Sequence, residues 1–183
     1  RFISNRSTGY MGYKIAEEAF KRHHKVTLIS GPTILTPPKV NKFISIETSR
    51  DLLSELKKQI NSADCLIMAA AVSDFKPEHV YKKKIKRKNA LTIRLDSTND
   101  ILLELGKSRR PNLLVGFSLE TENLIENSYE KLKHKHMDLI VANALTKNHN
   151  PFGNNKLDIF MIDGFKNITR IKAKNKSFIA KVL

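Results

Sequence analysis

Short apolar runs alternate with amphipathic stretches along this chain, and the spacing predicts the elements in turn. Ile15, Ala16, Ala19 and Phe20 share one face of a helix over 13–22. KVTLIS at 25–30 reads as a strand, followed by a turn around Pro32, Pro37 and Pro38, and 43–46 as a second strand. Ser49 is placed to cap a helix whose apolar face carries Leu52, Leu53, Leu56 and Ile60. CLIMAAA at 65–71 is unbroken apolar sequence, the pattern of a strand buried on both faces. The segment 72–90 loses all periodicity and reads as a long basic loop, ending in a short strand at 91–95. Beyond it the pattern predicts a helix over 100–107 capped near Thr98 or Asn99, a buried strand at 113–118, a helix over 123–135 and a strand at 139–142. An Asn- and Gly-rich loop at 143–156 precedes a hairpin, 158–162 and 167–171, turning at Asp163-Gly164, and a closing helix over 175–182.

Strands separated by helices imply α/β architecture with parallel crossovers, and ligands of such sheets bind at the carboxyl ends of the strands. The segments that follow strands are therefore the places to look for chemistry: 32–38, 70–88, 117–123 and 143–155. With 183 residues and no internal repeat, one domain accounts for the chain. No apolar run approaches the roughly eighteen residues of a membrane span, and the first dozen residues are neither a signal nor a transit peptide. The lone cysteine, Cys65, excludes an internal disulfide; within its apolar run it reads as a buried, inert thiol in a reducing cytosol. A formal net charge of +15, from 33 Lys and Arg against 18 Asp and Glu, favours polyanionic partners.

The opening SNRSTGYMG, at 4–12, brings small residues and glycines to a helix start, where backbone N–H groups and the helix dipole favour an anion. It is no Walker loop, and an ordinary helix start is the plainer alternative. AAAVSDFKP at 69–77 leaves a strand at its ligand end; three alanines permit close approach, and Asp74 stands just beyond them, or is simply a surface turn. The run Lys82, Lys83, Lys84, Ile85, Lys86, Arg87 and Lys88 is a candidate lid over a triphosphate, with a nucleic-acid patch as the alternative. Phe117 can stack on a base or serve the core. Lys131 and Lys135, one turn apart, share a helix face. His134 and His136 do not, so a zinc site lacks support.

Taken in order, RFISNRSTGYMG, TLISGPTILTPP, AAAVSDFKP, KIKRK, LLVGFSLETEN, DLIVANAL and NPFGNNKLDIFMI resemble the bacterial, cytidylate-using phosphopantothenoylcysteine synthetases over nearly the whole chain. In many bacteria that ligase is the C-terminal half of a bifunctional flavoprotein. The resemblance implies a homodimeric Rossmann-like three-layer sandwich with a mostly parallel sheet, a C-terminal β-hairpin and a long basic flap loop. It implies that 1–183 is a single ligase domain lacking an N-terminal strand and glycine-rich turn. It implies CTP-dependent joining of 4′-phosphopantothenate to L-cysteine through an acyl cytidylate, with Mg²⁺ accompanying the triphosphate, FMN only where a decarboxylase is fused upstream, a cytoplasmic setting, and no nucleic-acid or membrane partner. Carried over by position, Ser7, Gly9, Gly12, Met68, Ala69, Ala70, Asp74, Lys84, Asn99, Asp100, Ile101, Leu102, Phe117, Lys131, Lys135 and Asn143 would meet the nucleotide. Arg1, Asn5, Ala70, Ala71 and Asp74 would meet the acyl substrate, with Arg1 reaching into a neighbouring subunit. Asn5 and Lys84 would be catalytic, Asn5 on the acyl group and Lys84 on the cytidylate. Two departures stand out: Tyr10 replaces a basic residue, and Ala144 an aspartate. The rivals are a basic nucleic-acid-binding module, against which stand an aromatic content of 7% and the lack of a nucleic-acid fold signature, and an NAD(P)-binding oxidoreductase, which lacks its glycine fingerprint.

Overall fold

The computed structural model describes residues 3–81, 83–86, 90–107, 110–144, 157–173 and 175–183. The elements run α1 (Tyr10–Lys21), β1 (Thr27–Ser30), β2 (Lys42–Ser45), α2 (Ser49–Gln59), β3 (Cys65–Met68), β4 (Phe75–Pro77), β5 (Leu95–Ser97), α3 (Ile101–Lys107), β6 (Leu113–Glu120), α4 (Leu124–His134), β7 (Leu139–Ala144), β8 (Leu157–Asp163), β9 (Ile168–Ala173) and α5 (Lys176–Val182). The central sheet has the order β3-β6-β7-β8-β9. Its first three strands are parallel, joined through helices; β8 and β9 are antiparallel and form the expected C-terminal hairpin.

The sheet alternates its side chains between two apolar layers, as a period of two requires. Leu114, Ile140, Ala142 and Ile162 face α2, α3 and α4, meeting Leu52, Leu56, Ile101, Leu102, Leu105 and Leu132. Val115, Val141, Leu157 and Ile159 face the other way, toward Ile179 of α5 and Met11 of α1. Helices thus cover both faces, giving three layers. Leu114, Ile162 and Ile179 are fully buried.

Several details differ from the sequence reading. The strands do not form one sheet: β1 and β2 make a separate parallel pair, and β4 and β5 a separate antiparallel pair. β3 is an edge strand of the central sheet and packs on both faces as its apolar run predicts, with Leu66 and Met68 toward one layer and Ile67 toward the other; Cys65 at its start is nonetheless exposed rather than buried. Desolvation, then the Asp138 and Asp64 carboxylates, push its thiol above the ordinary value. The cap of α2 is Thr48, one residue before the expected Ser49. Its hydroxyl accepts from the Asp51 N–H at 3.1 Å, and the Asp51 carboxylate accepts from the Thr48 N–H at 2.9 Å, a reciprocal capping box. The cap of α3 is Asp100, not Thr98 or Asn99. The hairpin turns after Asp163 as expected, with Lys166 left-handed (φ 64) and the Asp163 carboxylate organising the turn by accepting from the Phe165 and Asn167 N–H groups, each at 2.9 Å. The short strand after the basic segment is 95–97, not 91–95.

Candidate active site

The carboxyl end of β3 is where distant parts of the chain meet. Asn5 Nδ2 donates to the Val72 carbonyl at 2.9 Å across 67 residues of sequence. The Thr98 hydroxyl donates to the Ser73 carbonyl at 2.6 Å, and the Thr98 N–H to the Asp74 carbonyl at 2.8 Å. These bonds fasten the segments 72–74 and 98–100 side by side, with the N-terminal loop on the other flank. Asp74 itself is exposed, and among the described residues its carboxylate has no hydrogen bond or ion pair.

The N-terminal loop enters α1 through Gly9, whose φ of 74° places it in the left-handed region, where a side chain would be strained. No side chain caps α1. The Thr33 hydroxyl donates to the Thr8 carbonyl at 2.9 Å, tying this loop to the turn after β1. One turn on, a Cβ on Gly12 would lie 3.7 Å from the Cβ of Ala69, so the start of α1 rests directly on the end of β3. The Tyr10 ring there lies under two ammonium groups, Lys14 at 5.5 Å and Lys176 at 5.9 Å. Lys176 is buried, which lowers its pKa. The position that departs from a basic residue therefore has cations beside it.

Two lysines, Lys131 of α4 and Lys135 just past its end, are each held by a carboxylate. Lys135 Nζ lies 2.9 Å from the Asp100 carboxylate, whose other oxygen accepts from the Leu103 N–H at 3.1 Å. Burial acts to raise the Asp100 pKa, but the Leu103 N–H and the Lys135 ammonium outweigh it and hold the carboxyl below its ordinary value. Lys131 Nζ donates to Glu120 at 2.6 Å. Glu120 is the last residue of β6 and is itself buried. No group of three or more His, Cys, Asp or Glu suited to a metal ion occurs among the described residues, and no described helix is long and apolar enough to cross a membrane.

A family model described as the C-terminal domain of the DNA/pantothenate metabolism flavoproteins matches residues 1–183. The chain belongs to this family. Among its relatives, the coenzyme A biosynthesis bifunctional protein CoaBC of Bacillus subtilis is 39% identical over 178 residues, which is 95% of this chain and 44% of the relative. A cysteine/cysteine sulfinic acid decarboxylase from an unidentified prokaryote is 39% identical over 98% of this chain and 51% of its own length. The chain thus spans about half the length of these curated relatives. A crystal structure of the C-terminal domain of a CoaBC protein superposes with a TM-score of 0.82 at 31% identity, covering all of this chain and 82% of that one.

Within this family fold, the positions expected from sequence fall into three groups. Asn5 is bonded to Val72, and Asp74 through its carbonyl to Thr98; Asn99 and Asp100 follow Thr98 in sequence, and Lys135 is paired with Asp100. Gly12 meets Ala69, and Gly9 and Ser7 form the loop ahead of it. Ala70 and Ala71 are exposed just past β3. Phe117 lies beside that strand end, because Met68 pairs with Gly116, and Asn143 lies two strands across. In the second group the side chains belong to the core: Met68, Ile101 and Leu102 are buried, so only their backbones face outward, and Phe117 is half-buried against the Val115 cluster. Lys84 forms the third: it is exposed on the segment between β4 and β5, and no described contact links it to the rest of the site. Arg1 lies outside the described residues. Sequence reasoning missed Thr98 and Glu120. Thr98 carried no signal beyond a cap; Glu120 carried one, a carboxylate two residues past Ser118 at the ligand end of a buried strand.

Proposed function

We propose that this domain performs the ligase reaction of coenzyme A biosynthesis, joining 4′-phosphopantothenate to L-cysteine at the expense of CTP. The observation that supports the reading is the meeting of the Asn5 loop with the alanine–Asp74 segment past β3, beside a lysine held by Asp100, in a chain of this family. In the first step the substrate carboxylate attacks the α-phosphorus of CTP and pyrophosphate leaves. In the second the cysteine amine attacks the carbonyl of the acyl cytidylate, giving the amide and CMP. A carboxylate resists amines until its oxygen becomes part of a good leaving group, so the site must spread phosphate charge and exclude water from the anhydride.

Lys131 and Lys135 supply fixed positive charge for the nucleotide, while Ala69, Ala70 and Ala71 leave room for it. Asn5, already aligned by the Val72 carbonyl, presents its amide to the acyl group. Lys84, carried on a basic flap between β4 and β5, closes over the cytidylate. Mg²⁺ rides on the triphosphate through phosphate oxygens and water rather than in a protein cage. The site is completed by a second subunit, whose Arg1 position contributes across the boundary, and FMN belongs only to an upstream decarboxylase half.

The test uses the full-length protein with phosphopantothenate, cysteine and each nucleotide supplied separately. CTP-dependent release of pyrophosphate and CMP in step with amide formation is the expected result. Release of CO₂ from cysteine without nucleotide turnover would favour the activity named for the prokaryotic decarboxylase relative instead, and tight, salt-dependent oligonucleotide binding without turnover would favour a basic nucleic-acid module. Lys84→Gln should leave the melting temperature unchanged, since the side chain is exposed, and cut product formation at least about a hundredfold, the scale of losing one charge-stabilising group; full activity in that variant refutes the assignment.

A further inference from the structure

We propose that Glu120 is a positioning residue: it holds the Lys131 ammonium at the carboxyl edge of the sheet in the place where the nucleotide phosphates bind. The inference rests on the ligase reading above and adds to it a residue that does not itself touch substrate.

The Lys131–Glu120 contact differs from the ordinary ion pairs of the molecule. Lys14–Glu17 and Lys58–Glu55 are one-turn pairs within single helices. Lys57–Glu104 joins α2 to α3, but both its side chains are well exposed. The Lys131–Glu120 pair joins the end of β6 to α4, and its two side chains differ sharply in exposure, 48% for Lys131 and 9% for Glu120. Solvent, and any anion arriving from it, therefore meets the ammonium before the carboxylate. Ser118 and Glu120 lie on the same side of β6, two residues apart, and Ser128 and Lys131 on the same side of α4, one turn apart. The two hydroxyls meet at 2.7 Å, with Ser128 fully buried, so the strand end and the helix are locked together immediately inside the charged pair.

A buried strand end can be closed by apolar residues at least as well as by a charged pair. A carboxylate kept there orients a cation whose stem would otherwise sample many rotamers, and it engages one of the three ammonium N–H groups, leaving two for a ligand. At the C-cap of α4, four residues on, the same device recurs: Lys135 is held by Asp100, the cap of α3. Two ammonium groups at helical spacing, each fastened by a carboxylate from a different element, make a preformed clamp for phosphate.

The experiment is steady-state ligation by the full-length protein with CTP varied, on Lys131→Met, Glu120→Gln, Glu120→Asp and the Lys131→Met/Glu120→Gln double variant, each checked by thermal melting. Lys131→Met should raise KM for CTP with kcat changed less. Glu120→Gln should raise the same KM roughly three- to tenfold, the scale of ordering one long side chain, and Glu120→Asp should recover part of it. In the double variant the glutamine should add less than about twofold, because the lysine it positions is already gone. An unchanged or lowered KM in Glu120→Gln overturns the proposal, as do independent, multiplying effects in the double variant. Should Glu120→Gln melt too low to assay, Glu120→Asp decides: a parental KM, or a loss of kcat alone, overturns it. An unchanged KM in Lys131→Met, in a protein that ligates, removes the proposal and leaves the ligase reading standing; a parent that turns over no nucleotide removes the ligase reading itself.

Discussion

Gly106→Ala tests whether the C-terminal end of α4 is as tightly fixed as the site requires. A Cβ on Gly106 would lie 2.4 Å from the Lys135 carbonyl oxygen, 3.2 Å from the His136 Cβ and 3.3 Å from the Lys135 carbonyl carbon. The closest approach is inside van der Waals contact by on the order of 1 Å. The obstruction is backbone, and that backbone is pinned. The Lys135 N–H donates to the Lys131 carbonyl at 3.0 Å, the Met137 N–H to the Leu132 carbonyl at 3.0 Å, and His136 between them is left-handed at φ 53, a helix-ending arrangement with little freedom. Overpacking of this kind costs about 1–3 kcal/mol. Opposing it, alanine is favoured over glycine in a helix by up to about 1 kcal/mol, and less in α3, which has only seven residues. The clash wins, for a net loss of roughly 1–2 kcal/mol, or about 2–8 °C in Tm for a chain of this size. The measurement is thermal melting of Gly106→Ala beside Gly164→Ala, where a Cβ meets nothing within 4 Å. The strain falls on Lys135, so KM for CTP should rise in the first variant and not in the second. Melting of Gly106→Ala at or above the parent would show that α4 yields freely and would refute the rigid-clamp argument.

Glu17 is held between Lys14 and Lys21, each at 2.6 Å, and their hydrogen bonds pull its pKa down to about 2. A depressed folded-state pKa stabilises above the unfolded value and loses that contribution as pH falls through about 4.5 toward 2; Glu17→Gln should therefore destabilise by under about 1 kcal/mol at pH 7 and by nothing near pH 2, read from melts at the two pH values. Cys65 is exposed but its thiol is pushed above the ordinary value by desolvation and by Asp138 and Asp64. Its reaction with a disulfide reagent at pH 7.5 should be slower than that of free glutathione, and Asp138→Asn should speed it by lowering that pKa.

Element order was legible from local periodicity apart from β4, which lies inside the segment 72–90 that reads as a loop; the departures occur where a long-range partner decides. CLIMAAA at 65–71 reads as strand throughout, yet β3 ends at Met68, so its alanines lie beyond the strand, and with β6 as its one ladder partner among the described residues its first residue is exposed. Leu91, Ile93 and Leu95 alternate as a strand should, but all three are exposed, and pairing begins only at Leu95, where Thr98 is drawn to Ser73 and Asp74. The cap of α2 could have been read correctly from local chemistry: an acid three residues on completes a capping box from Thr48 and not from Ser49. The site shows the same division. The alanines, Asp74 and the lysine pair announced themselves by type and spacing, whereas the carboxylates that fix those lysines come from β6 and from the cap of α3, at separations no short pattern spans.

On the ligase reading, those carboxylates bear on how a strongly basic protein keeps an anion site ready. Adjacent, unpaired ammonium groups beside an apolar core would repel one another and deter burial. Pairing Lys131 with Glu120 and Lys135 with Asp100 removes that standing cost and fixes both cations before any ligand arrives. It also limits what they contribute, because a neutralised clamp attracts a triphosphate less strongly than free charge does. On the ligase reading, the additional positive charge must come from a cation that is unpaired before the nucleotide binds, and Lys84, exposed and without a described ion pair, fits that role. Binding and chemistry then separate by residue. Loss of Lys131 or Lys135 should appear mainly in KM for CTP, and loss of Lys84 mainly in kcat, because a lysine recruited only as charge develops stabilises the transition state more than the ground state.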